Sequence, residues 1–131
     1  MKSYTDVEQS RQLAEILPIE SADMWWSKNF IYYNPTATIG ISAEYSNVYT
    51  YKFGEDDIPA WSLATLLNVL PISIDEGRHC LSLINSNPNG DIEWLCCYED
   101  YKGNLITACY ADNQVDACYE MILKLYELKM L

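Results

Sequence analysis

Three runs of strand-forming residues between residues 79 and 111 constrain the fold more than any other feature of this sequence. The runs are HCLSLIN, IEWLCCY and LITACYA, in which β-branched, aromatic and other apolar side chains predominate. Residues 87–90, Asn-Pro-Asn-Gly, and residues 102–104, Lys-Gly-Asn, separate the runs and are typical of tight turns. Because tight turns connect antiparallel neighbours, we predict a three-stranded meander in this segment.

A helical pattern follows the meander and extends to about Met130. Asp112 or Asn113 is predicted to cap its first turn, since a short polar side chain can accept hydrogen bonds from free amides. Polar residues recur at spacings of three and four and form one narrow stripe. The members of this stripe are Asn113, Asp116, Glu120, Lys124 and Glu127. The remaining surface of the helix is apolar or aromatic, which predicts that the helix packs on the meander.

The N-terminal segment predicts a first helix from residue 5 to residue 17. Thr5 and Glu8 have the spacing of a capping box, in which a hydroxyl and a carboxylate each accept from a free backbone amide. Apolar residues then fall on one helical face, and Pro18 would end the helix.

The middle of the sequence predicts further strands and a second helix. Three or four short strands are expected between Met24 and Phe53, with a turn at residues 34–35, because aromatic and β-branched residues alternate there with Asn and Ser. A helix is expected from Pro59 to Leu70. The acidic residues 55–57 precede it and would face the positive end of its dipole.

These elements predict an α+β fold in a single domain that covers residues 1–131. We expect an antiparallel sheet of about six strands with three helices, including a C-terminal helix packed on the three-stranded meander.

The adjacent residues Cys96 and Cys97 are the first candidates for chemistry. Successive side chains of a strand point to opposite faces, so the two thiols cannot converge on one metal ion. Zinc sites use Cys-x2-Cys spacings, which this sequence lacks. We therefore predict that Cys96 packs in the core and that Cys97 lies on a second, partly covered face. The total of five cysteines is odd, which is typical of reduced intracellular thiols.

His79 is the only histidine and lies beside Cys80. A Cys–His nucleophile needs the two side chains in hydrogen-bond contact, and neighbours on a strand point apart. His79 could instead meet Cys96 or Cys97 across the hairpin, which leaves an enzyme that uses His79 with a cysteine as an alternative. Phosphate-binding loops, nucleophile elbows and zinc-protease motifs are absent from the sequence. We predict no catalytic, cofactor-binding or metal-binding residue and no cofactor, and we favour a protein without catalytic activity.

The net charge of −11, from 19 acidic and 8 basic residues, bears on the partners of this chain. A surface so negative repels phosphate backbones and anionic membranes, so we expect no direct binding to nucleic acid or to a membrane. The alternative is an acidic DNA mimic or decoy, which would present carboxylates where DNA presents phosphates. No stretch has the length of a spanning helix or the pattern of a secretory signal, so a cytoplasmic location is expected.

Three stretches together resemble a known group of proteins. They are TDVEQSRQLAEILPIESADM, IPAWSLATLLNVLP and VDACYEMILKLYELKML, and they occur here in the same order as in that group. The group consists of small, uncharacterised proteins encoded in prophage-like and other mobile elements of gut bacteria. The resemblance does not extend to residues 30–53, and it supplies no catalytic residue. It implies a non-catalytic interaction or accessory protein of a mobile element.

The apolar surface of the predicted helices generates a prediction about self-association. The C-terminal helix and the helix from Pro59 to Leu70 have more apolar surface than one thin sheet can cover, and a two-fold dimer is the commonest way to bury such a surface. We therefore expect a homodimer, in which the protein partner is a second copy of the chain. Its interface would use residues from Trp25, Trp26, Tyr119, Leu123, Tyr126 and Met130.

Sedimentation at micromolar concentration tests the homodimer. A species of twice the chain mass is expected, whereas a single species at 15.1 kDa would contradict the prediction. The second result would favour the alternative that strands between residues 30 and 53 fold over the helices.

Overall fold

The computed structural model describes residues 2–33, 56–86 and 93–131, and these residues form an α+β fold as predicted. Within those ranges there are three α-helices and seven strands, and every strand pairing is antiparallel. The strands are divided between a three-stranded and a four-stranded sheet. Residues 34–55 and 87–92 lie outside the described residues, and with them the predicted strands and turns of those segments.

The chain contacts divide the molecule into two compact units. We call residues 4–65 the N-terminal unit, and residues 66–131 with the first three residues the C-terminal unit. This division does not test the prediction of a single domain, which stays a prediction.

The N-terminal unit has one short helix and the three-stranded sheet. Its elements are α1 (Val7–Ala14), a 3-10 turn (Ile19–Ser21), β1 (Met24–Ser27), β2 (Phe30–Tyr33) and β3 (Ile58–Ala60). The strand order is β2-β1-β3. Lys28 and Asn29 connect β1 to β2, and both have left-handed backbone conformations, with φ of 50° and 69°. Left-handed residues at both central positions are the hallmark of a type I′ turn, whose twist suits a two-residue hairpin.

Helix α1 begins at Val7, two residues later than predicted, because Thr5 is engaged elsewhere. The Thr5 hydroxyl accepts a hydrogen bond from the Trp61 N–H at 3.1 Å and lies 2.7 Å from the Ser10 hydroxyl. Asp6 caps the helix instead and forms a capping box with Gln9. The helix ends at Ala14 and not at residue 17.

The segment around Pro59 is a strand, which corrects the prediction of a helix from Pro59 to Leu70. Pro59 lies opposite Trp25 in β3, at one edge of the three strands that the structure describes in this sheet. Proline has no N–H to donate and is tolerated at a sheet edge. The helix that follows, α2, spans Leu63–Val69. Asp56 and Asp57 therefore precede a strand, and they do not cap the helix as predicted.

The start of α2 is held by Asp23, a residue distant in sequence. Its carboxylate accepts hydrogen bonds from the Ser62 N–H at 2.9 Å, the Ser62 hydroxyl at 2.6 Å and the Thr65 hydroxyl at 3.0 Å. One side chain thus connects the residue before β1 to the first turn of α2.

The C-terminal unit contains the four-stranded sheet and the last helix. Its elements are β4 (Ser73–Ile74), β5 (His79–Ser86), β6 (Glu93–Glu99), β7 (Leu105–Ala111) and α3 (Gln114–Glu127). The strand order β4-β5-β6-β7 contains the predicted meander, and α3 packs on β6 and β7, as predicted. Asn113 caps α3 by accepting a hydrogen bond from the Asp116 N–H at 2.9 Å.

The Asp23 contacts generate a prediction about stability. We expect Asp23→Ala to lower the free energy of unfolding by about 1–3 kcal/mol, because hydrogen bonds to a charged acceptor are lost and their donors lie in a partly buried site. Asp56→Ala is the matched control, since Asp56 is exposed. Urea unfolding of both variants measures the difference. Equal stability of the two variants would show that Asp23 does not hold α2.

Candidate interaction surface

The four-stranded sheet has one face covered by α3 and one face turned away from it, which we call the open face. Cys96 marks the covered face, because its thiol is hydrogen-bonded to Cys118 of α3. Residues directly opposite each other in an antiparallel sheet share a face. The register therefore assigns to the open face the residues that alternate with Cys96.

Three cross-strand rows make up the open face. The first is Ile84–Leu95–Tyr110, the second is Ser82–Cys97–Ala108 and the third is Cys80–Glu99–Leu105, where the pairing of β6 with β7 shifts by one residue between Tyr98 and Glu99. Large apolar side chains in these rows remain accessible: Ile84 is 41% exposed, Leu105 47% and Tyr110 57%. The middle row has only small side chains and lies between two rows of larger ones. The open face thus has accessible apolar side chains in its outer rows, on either side of a middle row whose Cys97 is fully buried.

A pocket of about 500 Å³ adjoins the third row. The described residues that line it are Gly77, Arg78, His79, Cys80, Ser82, Glu99, Asp100 and Tyr101. The Ser82 hydroxyl donates a hydrogen bond of 2.9 Å to one oxygen of Glu99, which fixes this carboxylate at the border between the pocket and the open face.

Asp100 adds a second negative charge to the pocket. Its carboxylate accepts hydrogen bonds from the Asn104 N–H at 2.9 Å, the Asn104 side-chain amide at 3.0 Å and the Lys102 N–H at 2.8 Å. These bonds favour the charged form and lower the pKa of Asp100. The carboxylate is thereby held in one orientation at the end of β6.

The structure does not bring His79 together with the cysteines across the hairpin. Cys96 lies opposite Leu83, and Cys97 lies opposite Ser82. These positions are three and four residues along β5 from His79, or roughly 10 Å or more at the usual rise of a strand. The His79 ring instead places its Nδ1 atom 3.3 Å from an Asp75 carboxylate oxygen, outside hydrogen-bond geometry. The register thus offers no support for a nucleophile made from His79 and Cys96 or Cys97.

The buried thiols behave as core side chains. Cys96 and Cys118 are both fully buried, and the hydrogen bond between them together with burial raises the pKa of Cys96. Burial and the negative charge of Glu99 raise the pKa of Cys97. Cys97 is also fully buried, whereas Ile84 and Tyr110 on the same face are 41% and 57% exposed, so the cover of that face is uneven. A raised pKa keeps a thiol protonated and unreactive at neutral pH.

The described ranges contain no group of three or more His, Cys, Asp or Glu side chains arranged to hold a metal ion. None of the helices in those ranges combines the length and the apolarity that crossing a membrane requires.

The six residues predicted for a dimer interface differ in their accessibility. Trp25 and Tyr119 are only 7% exposed in the single chain, whereas Tyr126 is 52% exposed. Trp26, Leu123 and Met130 are half-buried. None of these six lies in the three rows of the open face. The sequence pattern did not single out Ile84, Leu95 or Tyr110, because their alignment in one row depends on the strand register.

Comparison with protein-family models, with curated proteins and with solved structures finds no match to this chain. Its function has to be inferred from its own surfaces.

The exposure of the five thiols generates a prediction about reactivity. Cys80 is exposed on the open face, whereas Cys96, Cys97 and Cys118 are fully buried. We expect iodoacetamide to modify Cys80 first in the folded protein, and the three buried thiols only after local or global unfolding. Peptide mapping by mass spectrometry over time measures the order.

The variant Cys80→Ser should lose the fast modification and leave the slow ones unchanged. Modification of Cys96 or Cys118 as fast as that of Cys80 in the native protein would contradict the packing of α3 on β6.

Proposed function

We propose that this chain is a non-catalytic interaction module that binds a protein partner through the open face and the adjoining pocket. The observation that carries the proposal is the row Ile84–Leu95–Tyr110, in which Ile84 and Tyr110 are exposed and Leu95 is half-buried. The opposite face of this sheet is covered by α3. Contiguous exposed apolar and aromatic side chains on a rigid element mark protein-interaction surfaces.

The charges around this surface define the chemistry of the partner. Glu93 and Glu99 lie at the two ends of β6 on the open face, and Asp100 lines the pocket. The chain as a whole carries a net charge of −11. A partner that fits has an apolar strip flanked by lysine or arginine, because opposite charges steer the encounter and set the orientation of the complex. A basic side chain of such a partner could enter the pocket beside Glu99.

The resemblance to proteins of mobile elements supports an accessory role for such a module. It fits a protein that acts by binding rather than by catalysis.

The two alternative functions have less support from the described residues. A DNA mimic needs carboxylates at the close spacing of duplex phosphates, whereas Glu93 and Glu99 are six residues apart on β6, or roughly 20 Å. An enzyme that uses His79 with a cysteine needs a contact that the register of β5 and β6 does not provide.

Affinity capture from the native cell with matched variants tests the proposal. The double variant Ile84→Ser with Tyr110→Ser removes two large side chains from the open face. The control pair is Ile72→Ser with Tyr126→Ser, which removes the same side-chain types at exposed positions elsewhere, at 85% and 52% exposure. We expect the wild type and the control to capture the same partner. The open-face variant should bind it about 30-fold more weakly, as expected for the loss of an aromatic anchor.

A salt titration completes the experiment. Binding of the captured partner should weaken as salt rises, since charge attraction contributes. Loss of the partner by the control pair with retention by the open-face variant would contradict the proposal and would place the interface at Ile72 or Tyr126. Capture that is equal for all variants, or absent for the wild type, would also contradict it.

A further inference from the structure

A second pocket, in the N-terminal unit, has a different character from the open face. Its volume is about 320 Å³, and we call it the Trp26 pocket. The described residues that line it are Val7 and Arg11 of α1, Trp26 of β1, Lys28 and Asn29 of the turn, Asp56, and Ile58 of β3. Cavities of this size suit ligands of about the size of an amino acid or a small aromatic acid.

The aromatic wall of this pocket is held in place. The Trp26 indole N–H donates a hydrogen bond of 3.0 Å to the carbonyl oxygen of Thr5, and the ring meets Tyr4 edge-on at 5.8 Å. Thr5 is itself fully buried and hydrogen-bonded to Trp61. A wall fixed in this way needs no reordering when a ligand binds, which favours affinity.

Two cations, Arg11 and Lys28, border the pocket. Arg11 lies one helical turn from Val7 on the same side of α1, and Lys28 projects from the hairpin turn. Neither side chain forms an ion pair with any residue in the ranges that the structure describes. Two cations without an ion pair among the described residues are unusual at one concave site in a chain with 19 acidic residues and only 8 basic ones.

The position of Lys28 adds a second indication. Its φ of 50° is left-handed, and Lys28 occupies the first central position of the turn, where asparagine, aspartate or glycine is favoured. Lysine costs stability there, because its Cβ crowds the backbone. An unfavourable backbone conformation beside a pocket is a reason to look for a role of the side chain in binding.

We propose that the Trp26 pocket binds a small monoanion, namely a carboxylate attached to an apolar body. Arg11 and Lys28 against Asp56 leave one net positive charge among the described lining residues, which matches one carboxylate. Arginine and lysine donate charge-assisted hydrogen bonds to carboxylate oxygens. Val7, Ile58 and the Trp26 ring supply the apolar contact. The negative charge of the whole chain opposes polyanions, so the site selects small ligands.

Titration with phenylacetate, followed by NMR of the tryptophan indole N–H signals, tests the proposal. The Trp26 signal is assigned with Trp26→Phe. The neutral isostere phenylacetamide has the same shape without the charge, so it separates carboxylate recognition from apolar contact. We expect phenylacetate to shift the Trp26 signal with saturation, and phenylacetamide to bind at least about tenfold more weakly, because charge-assisted hydrogen bonds are lost.

Three variants complete the test. Arg11→Gln and Lys28→Asn should each weaken phenylacetate binding by about fivefold to tenfold. Lys28→Asn should also keep or raise the melting temperature, since asparagine tolerates the left-handed conformation, so lost binding cannot be attributed to unfolding. Lys129→Asn is the matched control, because Lys129 also has a left-handed φ, of 58°, and does not line the pocket.

The outcomes decide the proposal without reference to the open face, which belongs to the other unit. Equal binding of phenylacetate and phenylacetamide would overturn it. So would wild-type affinity in Lys28→Asn, an equal loss in Lys129→Asn, or no shift of the Trp26 signal at any ligand concentration.

Discussion

Strand β6 is fully buried at three consecutive residues, and the C-terminal unit is organised around this constraint. Consecutive side chains of a strand point to opposite faces, so burial of Cys96, Cys97 and Tyr98 in sequence requires cover on both sides. Helix α3 supplies the cover on one side, where Cys118 contacts Cys96. On the other side Cys97 lies between Ser82 and Ala108, and it is likewise fully buried. A thiol suits both positions, because it packs as a small apolar group without a strong demand for hydrogen bonds.

The N-terminal unit depends on a different device, namely short polar side chains that connect distant segments. Thr5 is bonded to Trp61 through its hydroxyl and its backbone N–H, and Asp23 is bonded to Ser62 through both carboxylate oxygens. Each of these bonds spans at least 39 residues of sequence. Satisfied polar groups of this kind fix a geometry more narrowly than apolar contact does, since an unpaired donor in a buried site is costly.

This difference explains which parts of the fold the sequence could predict. The meander, the Asn113 cap and α3 follow from local signals, such as turn residues and helical spacing, and the structure confirms them. The prediction of a helix from Pro59 was wrong, because acidic residues followed by a proline can precede either a helix or an edge strand. Thr5 has the side chain of a helix cap, but its hydroxyl accepts a hydrogen bond from the distant Trp61 N–H instead. The open-face row and the Trp26 pocket depend on cross-strand register and on a left-handed lysine, and neither has a local sequence signal.

The two proposed sites differ in the sign of their local charge. The open face is bordered by acidic residues, and Arg78, which lines the adjoining pocket, lies 3.6 Å from Glu76, so the net field at that surface attracts basic groups. At the Trp26 pocket the balance is reversed, because among the described lining residues Arg11 and Lys28 outnumber Asp56. Screening limits such local fields to about 8–10 Å at physiological salt, so a small positive site can persist within an acidic protein. A ligand that binds there must be small enough to lie within this range, since a larger anion would meet the negative charge of the remaining surface. Screening of the local field therefore selects both the size and the charge of the ligand.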